Sequence, residues 1–209
     1  MKLKIAACAL GYLPTNTYLG VNEETGHAFL VDPAVYDDSV LNALNEMGGT
    51  ELTYILLTHG HFDHILGVSE FKAKHPEATV VISEADKPFL TDRTLSHSAM
   101  HGLRQNPIAC DRTVGDGDKL PFDDADIRVL ATPGHTAGSV CYLLDDVLFS
   151  GDTLFRMSCG RTDFPESVPE QMRGSLQKLA SLEGNYQVLP GHEGFTNLEF
   201  ERNHNPFLK

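Results

Sequence analysis

Basic side chains are scarce in this chain of 209 residues: 16 Lys and Arg stand against 29 Asp and Glu, a formal net charge of −13. A nucleic-acid binder needs a basic face, and an anionic membrane surface attracts the same charge, so neither partner is expected. Most of the acid is read as solvated surface. The four cysteines, at positions 8, 110, 141 and 159, form no CxxC pair. That excludes a zinc ribbon and a dithiol redox motif, and reduced thiols are expected. Long apolar runs are missing too. No window approaches the roughly 18 apolar residues that span a bilayer. The N-terminal "LKIAACAL" is short for a secretory segment and leads into a turn with Pro14 and Asn16. A cytoplasmic location is the expectation. With no Gly/Ser/Pro linker and no short repeat, residues 1–209 are read as one domain.

Apolar residues nevertheless make up 41% of the chain, enough for a proper core. They fall in short runs between turn residues. "LKIAACAL", "NTYLGV" and "HAFLVDP" read as strands, and "LTYILLT", with few polar breaks, as a strand buried on both faces. "DDSVLNALNEMGG" has helical spacing at 40, 41, 44 and 47, ended by glycines, and "ILGVSEFKAKHP" reads as a second helix. "ATVVIS", "DIRVLATPGHT", "GSVCYLL" and "DVLFSGDT" are further strands. "VPEQMRGSLQKLASLEG" is a helix with Pro169 near its start and apolar residues at 172, 176 and 179. Between Ser83 and Val114 the pattern blurs, as in a long loop that walls a substrate. Strands and helices alternate in both halves, which implies an α/β fold of two sheets covered by helices.

Four polar clusters close the apolar strands: "THGHFDH" (58–64), "PGHT" (133–136), "SGDT" (150–153) and "PGHE" (190–193). Strand ends are where open α/β sheets place ligands, and the glycine in each cluster permits a tight turn. His59, His61 and His135 offer three imidazoles. Asp63, His64 and His192 offer a second set, and Asp152 has two oxygens to share. Imidazole nitrogen and carboxylate oxygen suit zinc, and two ions roughly 3.5–4 Å apart can share a water and grip both ends of a displacement. A lone histidine at a strand end is ordinarily a surface residue. The joint pattern of HxHxDH with three later glycine-flanked ligands points to metal. The other histidines are read as bland. His97 and His101, four apart, would share a helix face, with no carboxylate or cysteine close to them. Arg161 and Asp163 are read as a salt bridge pinning a loop, and Cys141 as core.

In these motifs the sequence resembles the metallo-β-lactamase superfamily of metal-dependent hydrolases, over most of its length. The resemblance implies an αβ/βα four-layer sandwich of two mixed β-sheets with helices on the outer faces and the metals at the sheet edge. It implies two divalent ions, zinc foremost, with iron and manganese also suited to such ligands. His59, His61 and His135 would hold one ion, Asp63, His64 and His192 the other, with Asp152 between them. Asp32, in "VDP", matches a family acid that supports a ligand from behind; a plain turn residue is the alternative. The presence of His64 and of aspartate at 152 argues against a β-lactamase. "TPGHTAGSV", "FSGDTLF" and "GRTDFP" are most similar to the hydroxyacylglutathione hydrolase (glyoxalase II) branch. That implies a cytoplasmic thioesterase acting on S-acyl thiols such as S-lactoylglutathione through a metal-bridging hydroxide, with Asp63 as the catalytic residue that orients it. The glutathione-binding extension of that branch is not matched after His192, so a second copy of the chain or the 90–110 loop would supply the missing wall. "CGRTDF" also resembles persulfide dioxygenases, which would hold one iron on His59, His135 and Asp152; a lactonase is a further alternative.

Overall fold

The computed structural model describes residues 1–209 and contains fourteen strands and five α-helices. The first sheet contains β1 (Leu3–Leu10), β2 (Thr15–Asn22), β3 (His27–Val31), β4 (Glu51–Leu56), β5 (Thr79–Ser83) and β6 (Arg112–Val114), in that spatial order. β1 to β3 are antiparallel, and β3 to β6 are parallel. The parallel crossovers carry α1 (Asp38–Glu46), α2 (Phe62–Ile65) and α3 (Val68–Lys74). The second sheet has the order β14-β13-β10-β9-β8-β7. Its strands are β7 (Lys119–Phe122), β8 (Ala125–Ala131), β9 (Val140–Leu144), β10 (Val147–Gly151), β13 (Gln187–Pro190) and β14 (Thr196–Asn197). It is antiparallel except where β10 meets β13, the pair spanned by α4 (Pro169–Ala180). A small hairpin of β11 (Leu154–Phe155) and β12 (Ser158–Cys159) follows β10, and α5 (Leu198–His204) is followed by a 3₁₀ turn at Pro206–Leu208.

The layering follows from side-chain alternation. In β4, Tyr54 and Leu56 point into the core between the sheets, while Ile55 and the following Leu57 point out under the helices. β3 does the same with Phe29 and Val31 inward, Ala28 and Leu30 outward. Hence "LTYILLT" shows few polar breaks: both of its faces are covered. Val40 and Leu44 of α1 and Val68 and Phe71 of α3 cover the first sheet. Met172, Leu176 and Leu179 of α4, with Leu198 of α5, cover the second. The result is the αβ/βα sandwich that the resemblance implies. The helix spacings hold as well: α1 buries Val40 and Leu44 after an Asp37 side chain that caps Ser39 N, and α4 begins at Pro169.

Two readings fail. No helix spans His97 and His101. The segment from Glu84 to Asp111 contains one 3₁₀ turn at Lys87–Leu90 and otherwise runs as turns and loop. The strands β6, β7, β11, β12 and β14 have two to four residues each, too short to show a period, and β7 carries Pro121, which an edge strand tolerates. No helix is long and apolar enough to cross a membrane.

Phe29 is the hub between the sheets. Its ring meets Phe122 and Phe149 edge-on at 5.2 and 5.7 Å. Phe29→Ala is expected to cost about 3–5 kcal/mol, through lost burial and the cavity left behind. Urea unfolding should show an earlier midpoint with an unchanged slope; an unmoved midpoint would contradict the hub role.

Candidate metal centre

The four clusters meet at one rim. β4 ends in the Thr58–His64 turn, β8 in Pro133–Thr136, β10 in Asp152 and β13 in His192. Backbone bonds sew these ends together: Val140 N donates to Thr58 O at 2.8 Å, Gly191 N to Gly151 O at 2.9 Å and Asn16 N to Gly191 O at 2.7 Å. At Gly191 only a glycine fits, because a Cβ there would lie 2.3 Å from Asp152 Oδ1 and 2.7 Å from His64 Cε1.

All seven candidate ligands point into this rim. The inward atoms of His59, His61 and His135 lie within 4.8 Å of one another, as do those of Asp63, His64 and His192. Asp152 sits between the sets. Its Oδ1 is 3.5 Å from His64 Nε2, and its Oδ2 is 3.5 Å from His135 Nε2 and 3.6 Å from His192 Nε2. Six of the seven are buried, and His192 is the more open one, which marks the mouth.

The outward hydrogen bonds fix which nitrogen each ring turns inward. A carbonyl only accepts, so His135 donates its Nδ1–H to Arg161 O at 2.8 Å, and His192 donates its Nδ1–H to Pro14 O at 3.0 Å. His64 donates Nδ1–H to Asp32 Oδ2 at 2.9 Å, and His61 donates Nε2–H to Glu166 Oε1 at 2.8 Å. The Thr58 hydroxyl donates to Asp32 Oδ2, so its oxygen accepts His59 Nδ1–H at 3.1 Å. In the neutral tautomers that these bonds select, every inward nitrogen presents a lone pair. His61 Nδ1 and His135 Nε2 face each other at 2.9 Å with no proton to share. His59 Nε2, His64 Nε2 and Asp152 Oδ1 are buried with no protein partner. Buried polar atoms are seldom left unpaired, and bare lone pairs converging on one volume are what a divalent cation needs. The residues present fit such ions.

Electrostatics agree. Burial first, then the facing imidazoles of His64, His135 and His61, hold His59 well below the ordinary imidazole range. Burial also pushes His135 down to about 4, with the Asp152 charge acting against it. His64 goes the other way, up to about 10: burial opposes the shift, but the charges of Asp63, Asp32 and Asp152 outweigh it. Burial raises Asp63, yet His64 and His192 hold it below the usual carboxylate range. The acids thus call for positive charge at their centre, and a divalent cation supplies it without protonating a ring.

Asp32 is a support and no mere turn residue. Its backbone has φ +49°, and its carboxylate accepts from Thr58 N, Thr58 Oγ1 and His64 Nδ1. Other residues here carry no sequence signal. Asp86 accepts from Gly60 N, Gly138 N and the Thr136 hydroxyl, and so ties the HGHFDH turn to the PGHT turn; burial raises its pKa despite these donors. Thr15 donates to Asp63 Oδ2 at 3.2 Å. Glu166 touches both His61 and His97, which corrects the view that no carboxylate lies near His97. Nothing in the spacing announced any of them, since each arrives from a different strand end or loop. Arg161 does pair with Asp163, donating Nε–H and Nη2–H to its two carboxylate oxygens at 2.6 and 2.7 Å, and Cys141 is core.

A family model described as the metallo-beta-lactamase superfamily matches residues 10–192. The chain belongs to this superfamily. It is 33% identical to a "probable metallo-hydrolase" of Bacillus subtilis, over 95% of this chain and 94% of that one. It is 38% identical to a hydroxyacylglutathione hydrolase of Brucella anthropi over 75% of this chain, and spans 54% of that relative's length. Among solved structures it is similar to the BLEG-1 B3 metallo-beta-lactamase, with TM-score 0.88 and 31% identity over 99% of this chain and all of that one. TTHA1623 in a di-iron-bound form gives TM-score 0.83 and 33% identity, covering 97% of this chain and all of that one. ETHE1 from Myxococcus xanthus gives TM-score 0.74 and 33% identity, covering 92% of this chain and 78% of that one.

Stripping a metal-loaded sample with a chelator is expected to lower its thermal midpoint, and adding back Zn²⁺ should restore it. A cation at ~100 times its Kd adds about 2.7 kcal/mol to folding. A midpoint indifferent to both treatments would count against the pocket.

Proposed function

We propose that this protein is a binuclear metal-dependent thioesterase of the hydroxyacylglutathione hydrolase kind. The observation that carries the reading is the complete, correctly oriented ligand set: five bare imidazole nitrogens and two carboxylates arranged in two groups about Asp152. The "TPGHTAGSV" and "FSGDTLF" strings and the 38% identity to a hydroxyacylglutathione hydrolase support the substrate class.

Divalent ions held there, zinc in the first place, would supply an activated water and a Lewis acid for the carbonyl. His59, His61 and His135 would hold one ion and Asp63, His64 and His192 the other, with Asp152 touching both. The remaining chemistry belongs to the chain. Asp63 directs Oδ2 at His192 Nε2, 3.2 Å away, and receives the Thr15 hydroxyl on the same oxygen. Its Oδ1 is then the atom open to a water proton, which orients the nucleophile toward the thioester carbon. The more exposed His192 side admits substrate. There the chain exposes Tyr12 and His101, packed on buried Phe62, while Arg161 is paired with Asp163. A strongly anionic thiol carrier is poorly served by such a mouth, so simple thioesters compete with S-lactoylglutathione as substrates.

Two other readings have an observation behind them. The likeness to ETHE1 favours a mononuclear iron persulfide dioxygenase on His59, His135 and Asp152, and the likeness to BLEG-1 favours a β-lactam ring as the carbonyl attacked. A metal assay beside turnover of S-lactoylglutathione, simpler thioesters, a persulfide and a chromogenic cephalosporin separates them. The expected result is about two ions per chain and thioester hydrolysis that consumes no oxygen. One iron with oxygen uptake would favour the dioxygenase, and cephalosporin turnover alone the lactamase.

Asp152→Ala is expected to lower both metal content and hydrolysis. The loss in rate should exceed the roughly 10–100-fold typical of removing a group behind a ligand. Full turnover in that variant would remove Asp152 from the centre.

A further inference from the structure

His61 is held from outside by two residues that the metal reading does not use. Glu166 stands in the loop before α4, and His97 stands in the long loop before β6. His61 Nε2 lies 2.8 Å from Glu166 Oε1, and His97 Nε2 makes a short hydrogen bond to the same oxygen. The three side chains are 6%, 12% and 8% exposed, so water is a poor substitute for any of them. Phe164 walls the group, with its ring centroid 5.1 Å from His61, 4.7 Å from His97 and 5.7 Å from His135. His97 adopts φ +67°, a left-handed conformation uncommon for a non-glycine residue. Such backbone persists where surrounding contacts impose it, and here the contact is the bond to Glu166.

These three groups could be read as a further ion site, since their ligand atoms also cluster. The hydrogen-bond distances argue otherwise. One carboxylate oxygen accepts from two imidazole N–H groups, and that satisfies all three without an ion.

The consequence falls on His61. An imidazole can carry its single proton on either nitrogen, and the choice decides which lone pair is free. The neighbouring rings settle the question with fixed acceptors, backbone carbonyls for His135 and His192 and Asp32 for His64. His61 has no such acceptor except Glu166. We propose that Glu166 is a positioning residue that keeps the His61 proton on Nε2, so that Nδ1 is bare toward His59 and His135, and that His97 anchors Glu166 while tying the 91–110 loop to the same point. Glu166 acts through His61 and touches no reacting atom. The inference rests on the reading of this pocket as a cation site, and its first test is independent of that reading.

In metal-free protein, the two nitrogens of His61 can be told apart by ¹⁵N NMR of the ring. The wild type is expected to show the proton on Nε2. Glu166→Gln keeps an acceptor oxygen for both rings and should preserve that signature. Glu166→Ala should shift His61 to a mixture with Nδ1–H. Chelator competition with Zn²⁺ then reads the cost, about a 10–100-fold loss of affinity in Glu166→Ala for the ion that takes His61, with near-normal affinity in Glu166→Gln. His97→Ala is expected to lose a few-fold and to make the 91–110 loop more sensitive to limited proteolysis. A His61 that stays protonated on Nε2 in Glu166→Ala, or an Ala variant that binds Zn²⁺ as tightly as wild type, overturns the proposal. Wild type that binds no Zn²⁺ would instead overturn the cation reading and leave the NMR result to decide the role of Glu166.

Discussion

Two bare nitrogens, His61 Nδ1 and His135 Nε2, face each other at 2.9 Å, and much of the molecule exists to keep them so. Lone pairs at that distance repel, and each ring has given up an inward donor to an acceptor on its far side. Leaving a buried acceptor unmade costs on the order of 1–3 kcal/mol, and this pocket gathers several. Folding without a cation is therefore uphill locally. A small ion of two charges that accepts imidazole nitrogen turns the same arrangement from the weakest part of the core into its best-satisfied part.

The sandwich supplies the rigidity this requires. Each ligand follows a strand whose alternate residues are locked between the sheets or beneath a helix. Leu56 and Leu57 fix the turn carrying His59, and Phe149 and Leu148 fix the approach to Asp152. The loops are then cross-tied by carboxylates that bind backbone instead of metal. Asp32 joins Thr58 to His64, and Asp86 joins Gly60 to Gly138. A buried acid that accepts three hydrogen bonds reads in sequence like any other aspartate; only its surroundings distinguish it from the many solvated ones.

That difference explains how far the sequence could be read. The ligands are legible because HxHxDH is dense, and because PGHT, SGDT and PGHE repeat a glycine beside a polar residue at apolar strand ends. α1 and α4 are legible from their spacing and their ends. Glu166 and His97 are not. They lie 69 residues apart and meet only because the long loop folds back over the rim, with His97 in a backbone conformation that its sequence does not advertise. Arg161 and Asp163 were visible as a pair because they are neighbours. Short edge strands such as β7 and β14 carry too few residues for alternation to register.

The division of labour within the site follows from this geometry. The ligand side is closed, buried and over-determined, so it holds one arrangement whatever carbonyl approaches. The other side has exposed Tyr12, His101 and Phe195, with Tyr12 packed on buried Phe62, and the more open face of His192. Water addition to a thioester, a lactone or a lactam makes nearly the same demand on the closed side: a bare oxygen nucleophile and positive charge where the oxyanion forms. Selection among them must then come from the open side, where shape and charge differ and the metal ligands do not.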